Sequence, residues 1–378
     1  MIGAGIIGLS LAIELNKRGL KVLVVEKGEP GREASWAAGG MLAPFDVPQA
    51  LGELAKTSAK MYPEFVHELE DESGVKIDFR DKGAIVLSTD SLRDPLGQSE
   101  AVKTLEVVLA QSPRIHEPAM NGPGGAGLRA QFSPERSVDP RQLIAAAIAA
   151  AKQRGIDFSS GDQVLAIETA DGRANGVRTN KTRFSAGLVI NCAGAWAGKI
   201  GESQFDLSAS DTHFPNPTGQ IIPTHPVKGQ MLYVAMPEKE LLRHVVRTPN
   251  VYLVPRSDRR LLIGTTHEEV GFNKQTVPET IQKLYQEALK LVPKLAEARI
   301  LEAWAGLRPG TPDNLPILGG TEMPGYFVAT GHFRDGILLA PVTARVMGQL
   351  IAGETPAFDL RPFDAARFRN RDASSMVV

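Results

Sequence analysis

Apolar and polar positions follow different periods along the chain, and the period changes from segment to segment. Residues 9–19 place apolar side chains on roughly one helical face, whereas residues 20–28 form a continuous apolar run, typical of a strand buried in a parallel sheet. A second helix and buried strand are predicted at 139–155 and 186–198, and residues 325–353 repeat the pattern as strand, loop and helix. These segments predict an α/β unit built on a parallel sheet.

A different pattern lies between these segments. Residues 226–267 contain three short apolar stretches separated by polar turns, which predict antiparallel strands. Residues 278–291 mix polar and apolar positions with a helical period. The chain is therefore expected to carry a second unit, made of an antiparallel sheet and a helix.

The first ten residues, MIGAGIIGLS, contain glycines in a Gly-x-Gly-x-x-Gly pattern before the first predicted helix. Gly3 permits a tight turn, Gly5 lets the backbone approach a pyrophosphate, and Gly8 allows the helix to pack on the strand. The helix N-terminus would then face the phosphates. The pattern predicts a dinucleotide site whose first contacts are Gly3, Gly5, Ile6, Ile7 and Gly8.

Glu26 stands at the end of the next predicted strand, where its carboxylate can accept hydrogen bonds from both ribose hydroxyls. It would repel a 2′-phosphate, so NAD or FAD is expected rather than NADP. Lys27 is expected at the same end of the site. Only Met1 and Ile2 precede the glycine turn, although a strand usually has about five residues. Either a start site or a sequence boundary shortens this strand, or two residues suffice, and the sequence leaves both open.

Composition narrows the function without identifying it. The chain has 378 residues, 43% hydrophobic and 22% charged, with a formal net charge of -1. This balance argues against nucleic acid or an anionic membrane as a partner and favours small neutral or zwitterionic ligands. The single cysteine, Cys192, excludes an intrachain disulfide and indicates a reducing compartment. Because no signal peptide or bilayer-spanning run is recognised, a cytoplasmic location is expected, while the oligomeric state, a homo-oligomer included, stays open.

Four further motifs carry a family resemblance. They are GREASWAAGGMLAPF at 31–45, VINCAGAWAG at 189–198, AWAGLRPGTPDNLPILG at 303–319 and GHFRDGILLAP at 331–341. Together with the opening glycine turn, they resemble the D-amino-acid oxidase superfamily, and most of all the glycine oxidases associated with thiamine biosynthesis. The resemblance covers essentially the whole chain, and its last two motifs are the most specific.

This resemblance implies an α/β Rossmann-like domain that binds FAD non-covalently and an α+β substrate domain whose antiparallel sheet faces the flavin ring. The FAD-binding domain would comprise residues 1–48, 135–206 and 304–378, and the substrate domain residues 49–134 and 207–303. Cys192 lies inside an apolar strand and is expected only to pack, so a thioether-linked flavin is not expected.

The resemblance also implies which residues would hold FAD. Ser35, Ala38, Gly39, Gly40 and Met41 would border the diphosphate and the ring, Val164 the adenine, and Ala193 and Gly194 would pass close to the cofactor. Gly331, His332, Arg334, Asp335, Gly336 and Ile337 would surround the pyrimidine end. The helix predicted after this loop would point its positive N-terminus at the negative charge of reduced flavin. A hydrogen-bonded loop histidine is an equally good interpretation of His332.

Strand pairing predicts part of the substrate side. If the hairpin between residues 250–256 and 260–267 turns at Ser257-Asp258, Tyr252 lies opposite Ile263. A two-residue period would then place four side chains on one face of the sheet: Asn250, Tyr252, Thr265 and His267. A slip of one residue would split this set.

The expected reaction is flavin-dependent oxidative deamination of glycine or another small amino acid or amine, such as sarcosine or a small D-amino acid. Arg308 and Tyr252 would anchor the substrate carboxylate, with Arg334 assisting. The amine would lose hydride to the flavin without a dedicated base, and oxygen would be reduced to peroxide. Asn250 stands where the family has a histidine and His267 where it has a methionine, so substrate size and pH dependence stay open.

One metabolic role and two alternatives to an oxidase stay open. The imine product would be available for thiamine thiazole synthesis. A dehydrogenase of the same fold would instead pass electrons to a quinone or a protein. A dinucleotide-binding module without turnover would serve as a sensor or a subunit, although such a module needs no carboxylate-binding arginine opposite the ring.

Overall fold

A computed structural model describes residues 1–88, 117–122, 128–200 and 222–369. The parts of the predicted domains at 89–116, 123–127, 201–221 and 370–378 lie outside the described residues. The described helices are α1 (Ile6–Lys17), α2 (Ala34–Ala37), α3 (Gly52–Ser73), α4 (Pro140–Gln153), α5 (Pro278–Leu291) and α6 (Gly336–Ile351).

The strands are numbered in chain order. The first nine are β1 (Leu23–Glu26), β2 (Met41–Leu42), β3 (Phe79–Arg80), β4 (Ala84–Ser88), β5 (Arg129–Ser133), β6 (Arg136–Val138), β7 (Asp157–Ser160), β8 (Val164–Ala170) and β9 (Arg173–Thr179). The others are β10 (Arg183–Ser185), β11 (Val189–Asn191), β12 (His225–Ala235), β13 (Val245–Arg247), β14 (Tyr252–Pro255), β15 (Arg260–Gly264), β16 (Arg299–Gly310), β17 (Ile317–Gly320) and β18 (Tyr326–Thr330).

The predicted parallel sheet is present. Strand β1 pairs in parallel with β7, and β11 pairs in parallel with β18, which carries β17 on its other side. Ile2 joins the two halves, because it forms parallel bridges to Val25 in β1 and to Asn191 in β11. The residues immediately before the glycine turn are thus hydrogen bonded on both sides.

Helices cover one face of this sheet. Helices α1, α4 and α6 share a core in which α1 is buried nearly all round, and the small side chains of α4, such as Ala146 and Ala147, allow close packing. Asp139 caps α4 by accepting a hydrogen bond from the Arg141 N–H at 2.9 Å. Helix α3 joins the same core, and its Tyr62 hydroxyl donates to the Ile337 carbonyl at 2.6 Å. The division of the chain into two domains stays a prediction.

The predicted antiparallel sheet is larger than the sequence indicated. Seven strands lie in the order β16-β12-β15-β14-β13-β4-β5, and β13–β4 is the parallel pair within it. Alternation along β12 sends Leu232 and Val234 into a core with helix α5, and Met231 and Tyr233 to the opposite face. This opposite face looks toward the parallel sheet.

The hairpin between β14 and β15 corrects the predicted register by one residue. Tyr252 lies opposite Gly264, not opposite Ile263. The loop has three residues, 257–259, and Arg259 adopts a left-handed conformation with φ 72°. A three-residue loop with a left-handed last residue shifts the pairing relative to a two-residue turn. Because β15 ends at Gly264, strand alternation does not reach the polar residues that follow.

Among the described residues, the helices are too short or too polar to cross a membrane. The same residues hold no cluster of three His, Cys, Asp or Glu side chains arranged for a metal ion.

Candidate active site

A cavity of about 1160 Å³ lies between the two sheets and brings together residues from the first to the last motif of the chain. It exceeds the usual volume of a small-molecule pocket and suits a dinucleotide with a substrate beside it. The predicted residues that line it are Gly3, Gly5, Ile6, Ile7, Glu26, Lys27, Ser35, Ala38, Gly39, Gly40, Met41, Val164, Ala193, Gly194, Asn250, Tyr252, His267, Arg308, Gly331, His332, Arg334, Asp335, Gly336 and Ile337.

Gly8 is the predicted residue that does not line the cavity. A Cβ at Gly8 would lie 2.1 Å from the Gly3 carbonyl oxygen, so this glycine lets α1 pack on the turn. Gly3 has φ 95°, and its own Cβ would lie 2.6 Å from the Cys192 carbonyl oxygen. The Ile6 N–H donates to Ser35 Oγ at 2.9 Å. The α1 N-terminus remains a wall of the cavity, as a phosphate site requires.

Glu26 is held by backbone at the end of β1. Its carboxylate accepts hydrogen bonds from the Ala4 N–H at 2.8 Å and the Gly28 N–H at 3.0 Å, one on each oxygen. Each carboxylate oxygen has a further lone pair for a ribose hydroxyl. Beside it, the Lys27 ammonium lies 3.0 Å from the centroid of the Trp196 ring, and burial lowers the pKa of this lysine. This end of the cavity fits an adenosine.

The small-residue segment forms the next part of the wall. Arg256 is only 2% exposed, and it donates to the carbonyl oxygens of Gly39 at 2.7 Å and Val138 at 2.8 Å. Tyr252 lies against the same segment, since a Cβ at Gly39 would be 3.1 Å from its hydroxyl. The small-residue segment and the antiparallel sheet therefore meet here.

The loop before α6 contains two buried titratable groups. His332 Nε2 lies 3.1 Å from Thr343 Oγ1, and burial lowers the pKa of His332 to about 3, so the ring is neutral. This supports the interpretation of His332 as a hydrogen-bonded loop histidine. The Asp335 carboxyl is 9% exposed and makes no hydrogen bond within the part of the chain that the structure describes. Burial raises its pKa to about 7.

Cys192 packs as the sequence predicted. Cys192 directly follows β11, and its side chain is buried, with Sγ 3.3 Å from Met1 Sδ. Burial raises the pKa of the thiol to about 12, so the reactive thiolate is not formed at neutral pH.

Arg308 lies in β16 with its guanidinium in the cavity wall. It donates to Thr265 Oγ1 at 2.9 Å, to the Thr266 carbonyl at 3.1 Å and to the Lys228 carbonyl at 3.4 Å. All three acceptors are neutral, and no carboxylate of the described residues forms an ion pair with it. Burial lowers its pKa, and the charge of Arg334 acts in the same direction.

Tyr252 and Thr265 lie close to Arg308, whereas Asn250 and His267 are exposed to solvent. The Tyr252 hydroxyl is 3.4 Å from Met231 Sδ, and burial raises its pKa although the Arg308 charge opposes the shift. Asn250 is exposed and donates to Glu287 Oε2 at 3.3 Å. The exposed His267 ring packs edge-on against Phe333, with centroids 5.8 Å apart.

Arg334 is half exposed and binds the Asp46 carbonyl oxygen at 3.2 Å. Sequence reasoning missed several residues that line the cavity: Asp46, Trp196, Gly229, Met231, Arg247 and Thr266. Trp196 lies in the motif at 189–198, and Thr266 follows the predicted residue Thr265. Their positions next to predicted residues could therefore have indicated both. Arg247 carried no sequence signal, because its position depends on the pairing of β13 with β4.

These residues fit FAD on grounds of geometry. A helix N-terminus for phosphate, a backbone-held carboxylate for ribose and a wall of glycine and alanine for a planar ring all line one cavity. Arg308 and Tyr252 line the same cavity beside this wall.

Comparison with known proteins agrees with this geometry. The family model DAO, FAD dependent oxidoreductase, matches residues 1–350. The bifunctional protein ThiO/ThiG of Trichormus variabilis is 34% identical over 99% of this chain, which spans 56% of that protein's length. The hydrogen cyanide synthase subunit HcnC of Pseudomonas aeruginosa is 32% identical, covering 100% of this chain and 97% of the subunit. The crystal structure of glycine oxidase from Geobacillus kaustophilus has a TM-score of 0.84 and 31% identity, covering 97% of both chains.

The family match covers most of the chain and confirms the resemblance, the fold class and the cofactor that the sequence predicted. This protein therefore belongs to the DAO family of FAD-dependent oxidoreductases.

Proposed function

We propose that the protein catalyses the oxidative deamination of glycine or another small amino acid or amine, such as sarcosine or a small D-amino acid. The observation that carries this proposal is the Arg308 guanidinium, which lies in the cavity wall and is bound only to neutral oxygens among the described residues. A partly buried guanidinium that forms no ion pair with a carboxylate of the described residues favours an anionic ligand. The fork geometry of arginine matches a carboxylate.

Tyr252 would complete the carboxylate anchor. Burial raises the pKa of its phenol, so the hydroxyl keeps its proton at neutral pH and can donate it. Its neighbour Met231 Sδ is a weak acceptor, which a carboxylate oxygen would replace favourably. Arg334 and His267 stand at the outer part of the cavity and would act on substrate entry and size.

FAD supplies the two-electron acceptor for the carbon–hydrogen bond beside the amine. The residues of the chain bind the carboxylate, orient the α-carbon toward the glycine-rich wall and exclude water from the space between the sheets. An amine that binds neutral needs no catalytic base. The amino acid loses two electrons and two protons to become an imine, which water hydrolyses to an oxo acid and ammonia, while oxygen is reduced to peroxide.

The comparisons support a metabolic setting for this reaction. Similarity to ThiO/ThiG supports a role in supplying the imine of glycine for the thiazole of thiamine. A dehydrogenase of the same fold that passes electrons to a quinone or a protein is the second candidate. The single cysteine supports a reducing compartment, and we propose the cytoplasm.

One experiment separates these candidates. Glycine, sarcosine and D-alanine are added in turn to the FAD-loaded protein without oxygen, and the visible flavin absorption is followed. Bleaching by one of them, followed by peroxide formation when air is admitted, is the expected result for an oxidase. Bleaching without peroxide would identify the dehydrogenase, and the absence of bleaching with all three would contradict amine oxidation.

A further inference from the structure

The acceptors that hold Arg308 belong to two backbone segments. Thr265 and Thr266 follow β15, whereas Lys228 lies in β12. The Thr266 carbonyl accepts from Nη1 at 3.1 Å and Thr265 Oγ1 accepts from Nη2 at 2.9 Å. The direction of the guanidinium therefore depends on how the segment after β15 is fixed.

An ion pair between buried Lys228 and partly buried Glu268 holds this segment on the side away from Arg308. Lys228 is 2% exposed, and its Nζ lies 3.0 Å from Glu268 Oε2. The backbones of the same two residues exchange hydrogen bonds, from the Lys228 N–H at 2.8 Å and from the Glu268 N–H at 3.0 Å. The second carboxylate oxygen, Oε1, accepts from Gln230 Nε2 at 2.8 Å and from the Thr266 hydroxyl.

The Thr266 hydroxyl thus both donates and accepts a hydrogen bond. Its Oγ1 donates to Glu268 and accepts from the Gln230 N–H at 2.9 Å. Neither Glu268 nor Lys228 lines the cavity, and Gln230 is fully buried. The hydrogen bonds lower the pKa of Glu268 despite its desolvation, so the group is ionised at neutral pH.

We propose that the Lys228–Glu268 pair is a positioning device for the carboxylate anchor: it fixes Thr266, and through it the direction of the Arg308 fork. The inference rests on the proposed function, because it assigns the fork to a substrate carboxylate. Glu268 is a positioning residue and touches no substrate. A purely structural pair would stabilise the fold, and its loss would leave carboxylate affinity unchanged.

The test is Glu268→Gln, which keeps the shape and one acceptor oxygen but removes the charge. The dissociation constant of acetate, a carboxylate without an amine, is measured by calorimetry on the FAD-loaded protein, and KM and kcat for glycine are measured beside it. We expect acetate affinity to fall about tenfold and KM to rise about tenfold, with kcat within about twofold, because the fork is misdirected rather than removed. Glu269→Gln is the matched control, since Glu269 is the exposed neighbour.

Two outcomes overturn the proposal. Acetate affinity equal in Glu268→Gln, Glu269→Gln and the parent would show that the pair does not direct the fork. A lower melting temperature with unchanged acetate affinity would show a structural pair. If Glu268→Gln fails to fold, Thr266→Val and Thr266→Ser replace it: valine should weaken acetate binding and serine should restore it, and equal affinity in the two would contradict the proposal.

Arg308→Leu separates this inference from the proposed function. If Arg308→Leu weakens acetate binding and Glu268→Gln does not, only the positioning role is wrong. If neither changes acetate binding, the carboxylate anchor itself is wrong.

Discussion

The Arg308 guanidinium occupies the space beside Gly229 that any side chain at this position would fill. A Cβ at Gly229 would lie 2.5 Å from Arg308 Nη2 and 2.6 Å from Nη1, closer than carbon and nitrogen approach without a bond. The two residues lie on the paired strands β12 and β16, two positions apart in register, because Gly229 faces Gly306 and Val227 faces Arg308. Gly229 is therefore part of the proposed carboxylate anchor, although it has no side chain to contact a substrate.

Gly229→Ala should displace the Arg308 fork and lower acetate affinity by about tenfold or more. The melting temperature and FAD content should change little, since a flexible side chain can move aside. The control is Gly187→Ala, where a Cβ meets no atom within 4 Å. Equal acetate affinity in the two variants would mean that the fork does not bind the carboxylate from its present position.

Arg308→Leu removes the guanidinium but keeps apolar bulk, so folding and FAD binding should survive. Each charge-assisted hydrogen bond contributes roughly 1.5 to 3 kcal/mol, so kcat/KM for glycine should fall by about 10² to 10⁴. Arg308→Lys should lie between, because an ammonium cannot reproduce the fork. Steady-state kinetics on variants with an unchanged flavin spectrum measure this, and a loss that is equally large for an amine without a carboxylate would argue for a structural arginine.

Asp335→Asn should change the pH dependence of stability. The native carboxyl has a pKa of about 7 against 3.8 for an unperturbed aspartate, because burial disfavours its charge. Between these values the native state holds a proton that the unfolded chain has released, so the free energy of unfolding falls as pH rises and the loss is complete above about pH 7.

Asp335→Asn has no carboxyl group at this position, so its free energy of unfolding does not show this fall as the pH rises. Its melting temperature should match the wild type near pH 4 and exceed it above pH 7, with a gain in unfolding free energy of up to about 4 kcal/mol. Thermal melting of FAD-free protein from pH 4 to pH 9 measures the difference. A difference that is constant with pH would show that Asp335 is ionised throughout.

Arg256→Met should weaken FAD binding. Its guanidinium is the donor that holds the Gly39 and Val138 carbonyls, and loss of both bonds frees the wall on which the ring would lie. We expect the dissociation constant of FAD to rise about tenfold or more. Flavin fluorescence on addition of FAD to the stripped protein measures it.

Arg260→Met is the control for this prediction. Arg260 lies in the same hairpin and bonds Asp139 at 2.7 Å, but it does not line the cavity. Its loss should lower the melting temperature and leave FAD affinity unchanged. If both variants weaken FAD binding equally, Arg256 acts by general stability and not by holding the wall.

The sequence by itself determined the features that depend on local pattern. The turn at Gly3, the carboxylate at Glu26 and the apolar strands could be predicted because steric and periodic rules act over a few residues. Arg308 and the loop at residues 331–337 could be singled out as candidates because they stand inside recognisable motifs. Every predicted site residue except Gly8 lines the cavity.

The tertiary structure decided what depends on residues far apart in the chain. The register of Tyr252 followed from the left-handed Arg259, a conformation that non-glycine residues seldom adopt and that pattern does not reveal. The Gly229 space, the Lys228–Glu268 pair and the Arg256 bonds arise where separate strands pack. These contacts are stabilised by burial and by hydrogen bonds between segments that are distant in the chain. The pattern of a single sequence therefore does not predict them.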